Sequence, residues 1–262
     1  MSKVELSEIE KGLPYVKYYY QDLAQVSEEK LAIAKGDMEN PKDALNIKDK
    51  NLYLKGEDRG IQQGFTVMED GIGYVANSTF MKDVTVEMME WWFAWHSVNS
   101  DLRYKIWDPE DHYYAKADKV EYVVDKKVPL AEKTWGVTHK IKEDIGLGPE
   151  ELLLSFRCPE EFGYDMQILG TDKCKGMVCA IGIGNVPAFM THKFYNVDDG
   201  IMFESRFWIG YKFENEEFIK VVPEGKKVPE IVPRLLFSHN IKEFTNLAAI
   251  LPKVYEEEKD NW

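Results

Sequence analysis

The sequence predicts an α+β fold in which a curved antiparallel sheet and a long C-terminal helix close around a cavity. Three observations predict it. Residues 83–96 carry apolar side chains at helical spacing, and the middle of the chain is a succession of short alternating or β-branched segments broken at Gly and Pro. From Arg234 to Leu251 the helical period returns. Helix, then grouped strands, then a long final helix is the order of an α+β domain whose strands share one sheet. With 262 residues, 44% of them hydrophobic, the chain can fill a sizeable core and still carry an appendage.

Residues 1–59 are polar, charged and weakly periodic, with short helical stretches such as 28–34. They read as an N-terminal appendage, and the expected assembly is a homodimer with this segment as its oligomerising element. The main domain is then 60–262. Its first buried helix covers 83–96, with Asp83 placed to cap it. Strands are expected at 120–124, 135–143, 151–156, 177–183, 189–195 and 200–213. Gly146, Gly148-Pro149, Pro159, Gly170 and Asp198-Asp199-Gly200 fall in the breaks, as turns of an antiparallel sheet require. After Pro223, Pro229 and Pro233 the final helix begins, which makes the architecture a helix-grip. No internal repeat or low-complexity segment interrupts it.

A net charge of −13 disfavours nucleic-acid phosphates and anionic membrane surfaces as partners. A small, largely neutral substrate fits better. The three cysteines, Cys158, Cys174 and Cys179, form no CxxC pair, so neither a disulfide framework nor a thiolate zinc site is indicated. They read as buried small apolar residues in a reducing compartment. Met1-Ser2-Lys3-Val4-Glu5 lacks the basic-then-apolar order of a signal peptide, and no stretch approaches the roughly 18 apolar residues of a spanning helix. A soluble cytoplasmic protein is expected. Aromatic residues cluster at Trp91, Trp92, Phe93 and Trp95, then at Tyr104, Trp107, Tyr113 and Tyr114. Such a cluster is either core or the wall of a pocket for a flat ring.

His239 and Glu243 are one helical turn apart, so both side chains share a face and can reach one metal ion. A surface hydrogen bond between them is the competing reading. Phe237, Ile241, Phe244 and Leu247 flank the pair and argue that this part of the helix is buried. A catalytic zinc needs at least one further ligand. The other histidines are His96, His112, His139 and His192, and His112 follows a Pro- and acid-rich turn beside the aromatic cluster. Glu143 shares a strand face with His139 and Ile141; turning that strand over would bury Lys140 and Lys142 instead, which is worse. An inward carboxylate there calls for a cation.

The segments Trp91-Trp92-Phe93-Ala94-Trp95-His96, Arg103-Tyr104-Lys105-Ile106-Trp107 with His112, Gly136-Val137-Thr138-His139 through Glu143, and His239-Asn240-Ile241-Lys242-Glu243 resemble the phloretin hydrolase and diacetylphloroglucinol hydrolase family. The resemblance covers roughly residues 60–252. It implies a Bet v 1-like helix-grip enzyme that hydrolyses the carbon–carbon bond between an acyl group and a polyhydroxylated ring, so that the partner is a small polyphenolic ketone. It further implies one zinc held by His112, Glu143, His239 and Glu243. The family interval between the first two ligands fits His112 with Glu143, whereas from His96 and His139 it leads to Lys127 and Gly170. Tyr104 is the implied substrate contact, with either Tyr195 or Tyr211 as a second. Where relatives carry a polar side chain just beyond the first histidine, this chain has Tyr113-Tyr114-Ala115, a departure that bears on substrate preference. Two rivals remain: a carrier of hydrophobic ligands on the same fold, and a zinc hydrolase of an ester or amide.

Overall fold

The computed structural model describes residues 2–262. Helices α1 (Glu8–Lys11), α2 (Val16–Tyr20), α3 (Glu28–Lys35) and α4 (Lys50–Lys55) precede β1 (Gly64–Val67) and β2 (Gly73–Lys82). Then come α5 (Val86–Trp95), α6 (Leu102–Lys105), β3 (His112–Ala117) and α7 (Val120–Val124). The sheet continues through β4 (Thr138–Glu143), β5 (Glu150–Arg157), β6 (Gly176–Ile183), β7 (Ala188–Val197) and β8 (Gly200–Ile209). A hairpin of β9 (Tyr211–Glu214) and β10 (Glu217–Lys220) leads to α8 (Ile231–Glu258).

Eight strands form one antiparallel sheet in the order β1-β2-β8-β7-β6-β5-β4-β3, with α8 against its inner face. This is the helix-grip architecture. Phe244, Leu247, Leu251 and Val254 of α8 join Phe194, Phe203, Trp91, Trp92 and Phe93 in the main core. Each such side chain contributes about 1.5–3 kcal/mol on burial, so the grip between helix and sheet is set by these contacts. The outer face of the sheet is covered as well, because Tyr74, Phe189 and Trp208 pack under Leu45, Ile47, Tyr53 and Leu54. Tyr15, Tyr18 and Tyr19 enter the main core, and a nearly buried ion pair, Lys105 Nζ to Glu10 Oε1 at 2.8 Å, ties α1 to α6. Segments within residues 2–59 thus pack on both sides of the body. No helix among the described residues is long and apolar enough to cross a membrane.

The structure changes several expected elements. Residues 120–124 form α7 instead of a strand: Val123 turns into a pocket with Ala94, Val98 and Val137, and the Lys133 ammonium donates to the carbonyls of Val123 and Asp125 at 2.6 and 2.7 Å. Tertiary contact overrides the β-branched composition. Thr85, not Asp83, caps α5, its hydroxyl accepting from the Met88 N–H at 3.3 Å, while Asp83 sits in a left-handed turn. The segment 200–213 divides into β8 and β9 at Gly210, whose φ of +111° suits glycine. Strands β1 and β2 lie in a stretch where no strand was expected. Cys174 and Cys179 are buried, Cys158 is half-buried, and all three are free.

Candidate metal centre and cavity

Three elements bring the four implied ligands together. His112 opens β3 and is the cross-strand partner of Glu143, the last residue of β4. A bulge at Tyr113 makes this possible: without it, His112 would share the outward face of Tyr114, two residues on. His239 and Glu243 project from one face of α8. The ligand atoms of His112, Glu143 and His239 lie within 4.8 Å of one another. The Glu243 Oε2 stands 3.7 Å from His112 Nε2 and 3.9 Å from His239 Nε2.

The hydrogen bonds around these groups decide what they can hold. His112 Nδ1 meets the Tyr104 carbonyl at 3.2 Å, and His239 Nδ1 meets Asp111 Oδ2 at 3.2 Å. A carbonyl and a carboxylate only accept, so each Nδ1 carries the proton and each Nε2 offers a lone pair. Those two Nε2 atoms face each other at 3.3 Å. Lone pairs so placed, beside two carboxylates, repel unless a proton or a cation lies among them. A proton meets the need in part: burial alone would lower the His239 pKa, but the carboxylates of Glu243, Asp111, Glu143 and Asp108 overcome it and raise it to about 10. Burial, with His239 beside it, holds His112 well below the usual imidazole range. Glu243 is pushed up to about 8, by burial first and then by Glu143 and Asp108 against the opposing His239. Two imidazole nitrogens and two carboxylates satisfy a divalent ion of zinc type directly, so the donor set fits the implied metal.

The surroundings hold the donors in place. The Tyr104 ring stacks on His112 with centroids 3.9 Å apart and an interplanar angle of 3°. Its hydroxyl donates to Glu143 Oε2 at 2.6 Å, and burial together with that carboxylate pushes the phenol well above its ordinary pKa. Asn240 donates to Glu243 Oε1 at 3.1 Å and accepts from Asn77 of β2 at 2.9 Å. Behind His239, the Lys242 ammonium lies 2.6 Å from Asp111 and 3.1 Å from Asp108. Sequence reasoning singled out neither Asp111 nor Lys242 in this role, although each adjoins an implied ligand in sequence or on the helix.

A cavity between α8 and the sheet reaches this centre. Tyr104, Glu143, His239 and Glu243 line it together with Phe93, His96, Trp107, Phe156 and His192. His192 was counted among the histidines of the sequence without a role, and its place between Met190 and Phe194 on an alternating strand is the signal that would have put it at the cavity. Tyr195 and Tyr211 are not brought to the cavity. Tyr195 points to the outer face, its hydroxyl 3.2 Å from Glu204 Oε1, and Tyr211 packs edge-on against Phe218 of the hairpin. His96 lines the cavity wall and His139 is buried behind Phe156, so neither joins the ligand cluster.

Residues 45–256 match the family described as the DAPG hydrolase PhiG domain. Phloretin hydrolase of Eubacterium ramulus is 55% identical over 262 residues, covering 99% of this chain and 96% of its own. The chain belongs to the DAPG hydrolase family. The 2,4-diacetylphloroglucinol hydrolase of Pseudomonas protegens is 26% identical to this hydrolase, covering 93% of this chain and 84% of its own. Among solved structures, Ara h 8.0201 aligns with a TM-score of 0.42 at 10% identity, over 70% of the hydrolase and 99% of its own chain.

Proposed function

We propose that the chain hydrolyses the bond between the acyl carbon and the ring of an acylated phloroglucinol, with one zinc held by His112, Glu143, His239 and Glu243. The convergence of the Nε2 atoms of His112 and His239 and two carboxylates on an aromatic-walled cavity carries this reading. Membership of a family whose members include a phloretin hydrolase and diacetylphloroglucinol hydrolases supports it. Zinc bound there would polarise the acyl carbonyl and supply hydroxide near neutral pH.

The remaining work falls to the chain. Water adds to the acyl carbon, the aryl–acyl bond breaks with its electron pair going to the ring carbon, and that carbon takes a proton. Hydroxyls ortho and para to the acyl group let the ring adopt a keto tautomer, so the departing carbanion is an enolate. Phe93 and Trp107 provide flat walls for the ring. His96 and His192, kept neutral by burial at about 4 and about 3, each have one nitrogen engaged, by the Trp92 carbonyl and the Ser205 hydroxyl respectively. Their other nitrogens are available to ring hydroxyls. Because burial keeps Tyr104 protonated, its hydroxyl is a donor, held on Glu143 and within the same cavity as the reacting bond. It is the candidate source of the proton for the ring carbon.

The test is elemental analysis of the purified protein followed by product identification with phloretin. About one zinc per chain is expected, with release of phloroglucinol and the matching arylpropanoic acid that stops on chelation and returns with zinc. A metal-free protein with full activity removes the zinc, and hydrolysis of phenyl esters without cleavage of any aryl ketone removes the carbon–carbon reaction.

A further inference from the structure

A line of hydrogen bonds leads from the metal centre to the N-terminal segment. Glu243 turns Oε2 toward the imidazoles, 3.7 Å from His112 Nε2 and 3.9 Å from His239 Nε2, and turns Oε1 away, to the Asn240 amide at 3.1 Å. Asn240 in turn accepts from Nδ2 of Asn77, on β2, at 2.9 Å. The same Nδ2 donates to Thr79 Oγ1 at 3.3 Å, and that hydroxyl also accepts from the Lys30 ammonium of α3 at 3.0 Å. Asn77, Thr79 and Asn240 are all buried.

The sense of this line is set from both ends. A carboxylate only accepts, so Asn240 must present its NH2 to Glu243 and its oxygen to Asn77, and Asn77 must present its own NH2 to Asn240. At the far end an ammonium only donates, so Thr79 Oγ1 turns lone pairs to both neighbours. The arrangement leaves Asn77 Oδ1 buried without a donor. Turning that amide over would set two oxygens face to face at Asn240.

Lys30 belongs to a strap held on α8 to either side of Asn240. Arg234 donates to the carbonyls of Ala34 and Gly36 at 3.0 and 2.6 Å, and Asn246 Oδ1 accepts from the Ala24 N–H at 3.2 Å. Between these anchors Lys30 forms no ion pair among the described residues, and burial lowers its pKa to about 8 against the opposing pull of Glu29. Fastening α3 to β2 does not call for a charge at this point. Keeping the Thr79 oxygen an acceptor does call for a side chain that can only donate.

We propose that Asn240, Asn77, Thr79 and Lys30 are positioning residues that hold Glu243 with Oε2 alone facing the metal centre, so that helix α3 of the N-terminal segment belongs to the machinery of the site. The proposal rests on the reading of Glu243 as a ligand. Held by Oε1, the carboxylate is kept from swinging, and its approach to the two imidazoles is fixed.

Zinc affinity of the full chain, from competition with a chromophoric chelator, tests this, and thermal unfolding of the chelated protein measures packing separately. Asn77→Asp is nearly isosteric but has no N–H to give, so Asn240 must turn its NH2 to the new carboxylate and its oxygen to Glu243. Zinc affinity should then fall roughly 10- to 100-fold. Thr79→Val and Lys30→Met should each lower it roughly three- to tenfold, the worth of one hydrogen bond, and Thr79→Ser should keep it. With Glu243→Gln the side chain at 243 can donate to the turned Asn240 oxygen, so adding Asn77→Asp should lose no further affinity. Wild-type affinity in Asn77→Asp, or an equal loss with and without Glu243→Gln, overturns the proposal. A lowered melting temperature with unchanged zinc affinity in Thr79→Val and Lys30→Met also overturns it, making the line a structural fastening. Should Asn77→Asp not fold, the contrast of Thr79→Val with Thr79→Ser decides by the same measure. If Glu243→Gln by itself leaves zinc affinity unchanged, the ligand reading fails, and this proposal with it.

Discussion

Two side chains that touch the proposed ligands without binding the metal carry predictions of opposite kind. Asp111 accepts from His239 Nδ1 at 3.2 Å, fixing the tautomer that frees Nε2, and its charge is balanced by Lys242 at 2.6 Å. Asp111→Asn keeps an acceptor but loses the charge that makes the imidazole a better donor, so zinc affinity should fall roughly 10- to 100-fold. Competition against a chromophoric chelator measures it; unchanged affinity would leave Asp111 only its ion pair with Lys242. Tyr104→Phe retains the ring stacked on His112 and deletes only the hydroxyl that donates to Glu143. Zinc content should persist while turnover of the ketone drops roughly 10²-fold. A lowered melting temperature with full turnover would make Tyr104 a packing residue.

At the scale of elements, the site was legible where local periodicity alone decides it. His239 and Glu243 follow from the helical repeat, and Glu143 follows from alternation with Ile141 and His139. His112 does not. Its strand begins with a bulge at Tyr113, so strict alternation would have turned His112 outward, and the turn before it and the family interval, not periodicity, pointed to it. Strand β1 was missed for a different reason: Gly64, Phe65, Thr66 and Val67 are all buried because the chain covers both faces, and a run buried on both sides shows no alternation. The same rule applied to β7 separates two residues that sequence reading could have sorted. His192 shares a face with Met190 and Phe194, whereas Tyr195 falls with Lys193 and Thr191 on the outer side, away from the cavity.

Over the whole molecule, two effects of pH oppose each other. Protonating surface carboxylates relieves the self-repulsion of a chain with net charge −13, which favours the folded state as pH falls. Buried neutral histidines act the other way. Burial lowers His96 to about 4, His192 to about 3 and His139 well below its ordinary value, so between pH 6.5 and 4 the unfolded chain binds protons that the folded chain does not. Their contribution is fully present above pH 6.5 and is lost as pH falls, by about 1.4 kcal/mol per pH unit for each residue. The wild-type profile alone mixes both effects, so the decisive quantity is a difference. His192→Asn can keep a hydrogen bond to Ser205 and abolishes the titration, and it leaves the surface charge alone. Urea unfolding of both proteins at pH 7, 6 and 5, with chelator present to remove any metal contribution, should show the wild type losing about 1.4 kcal/mol per unit relative to the variant once well below pH 6.5. A difference that stays constant with pH would mean that His192 takes up its proton in the folded state, and that the cavity admits water to it.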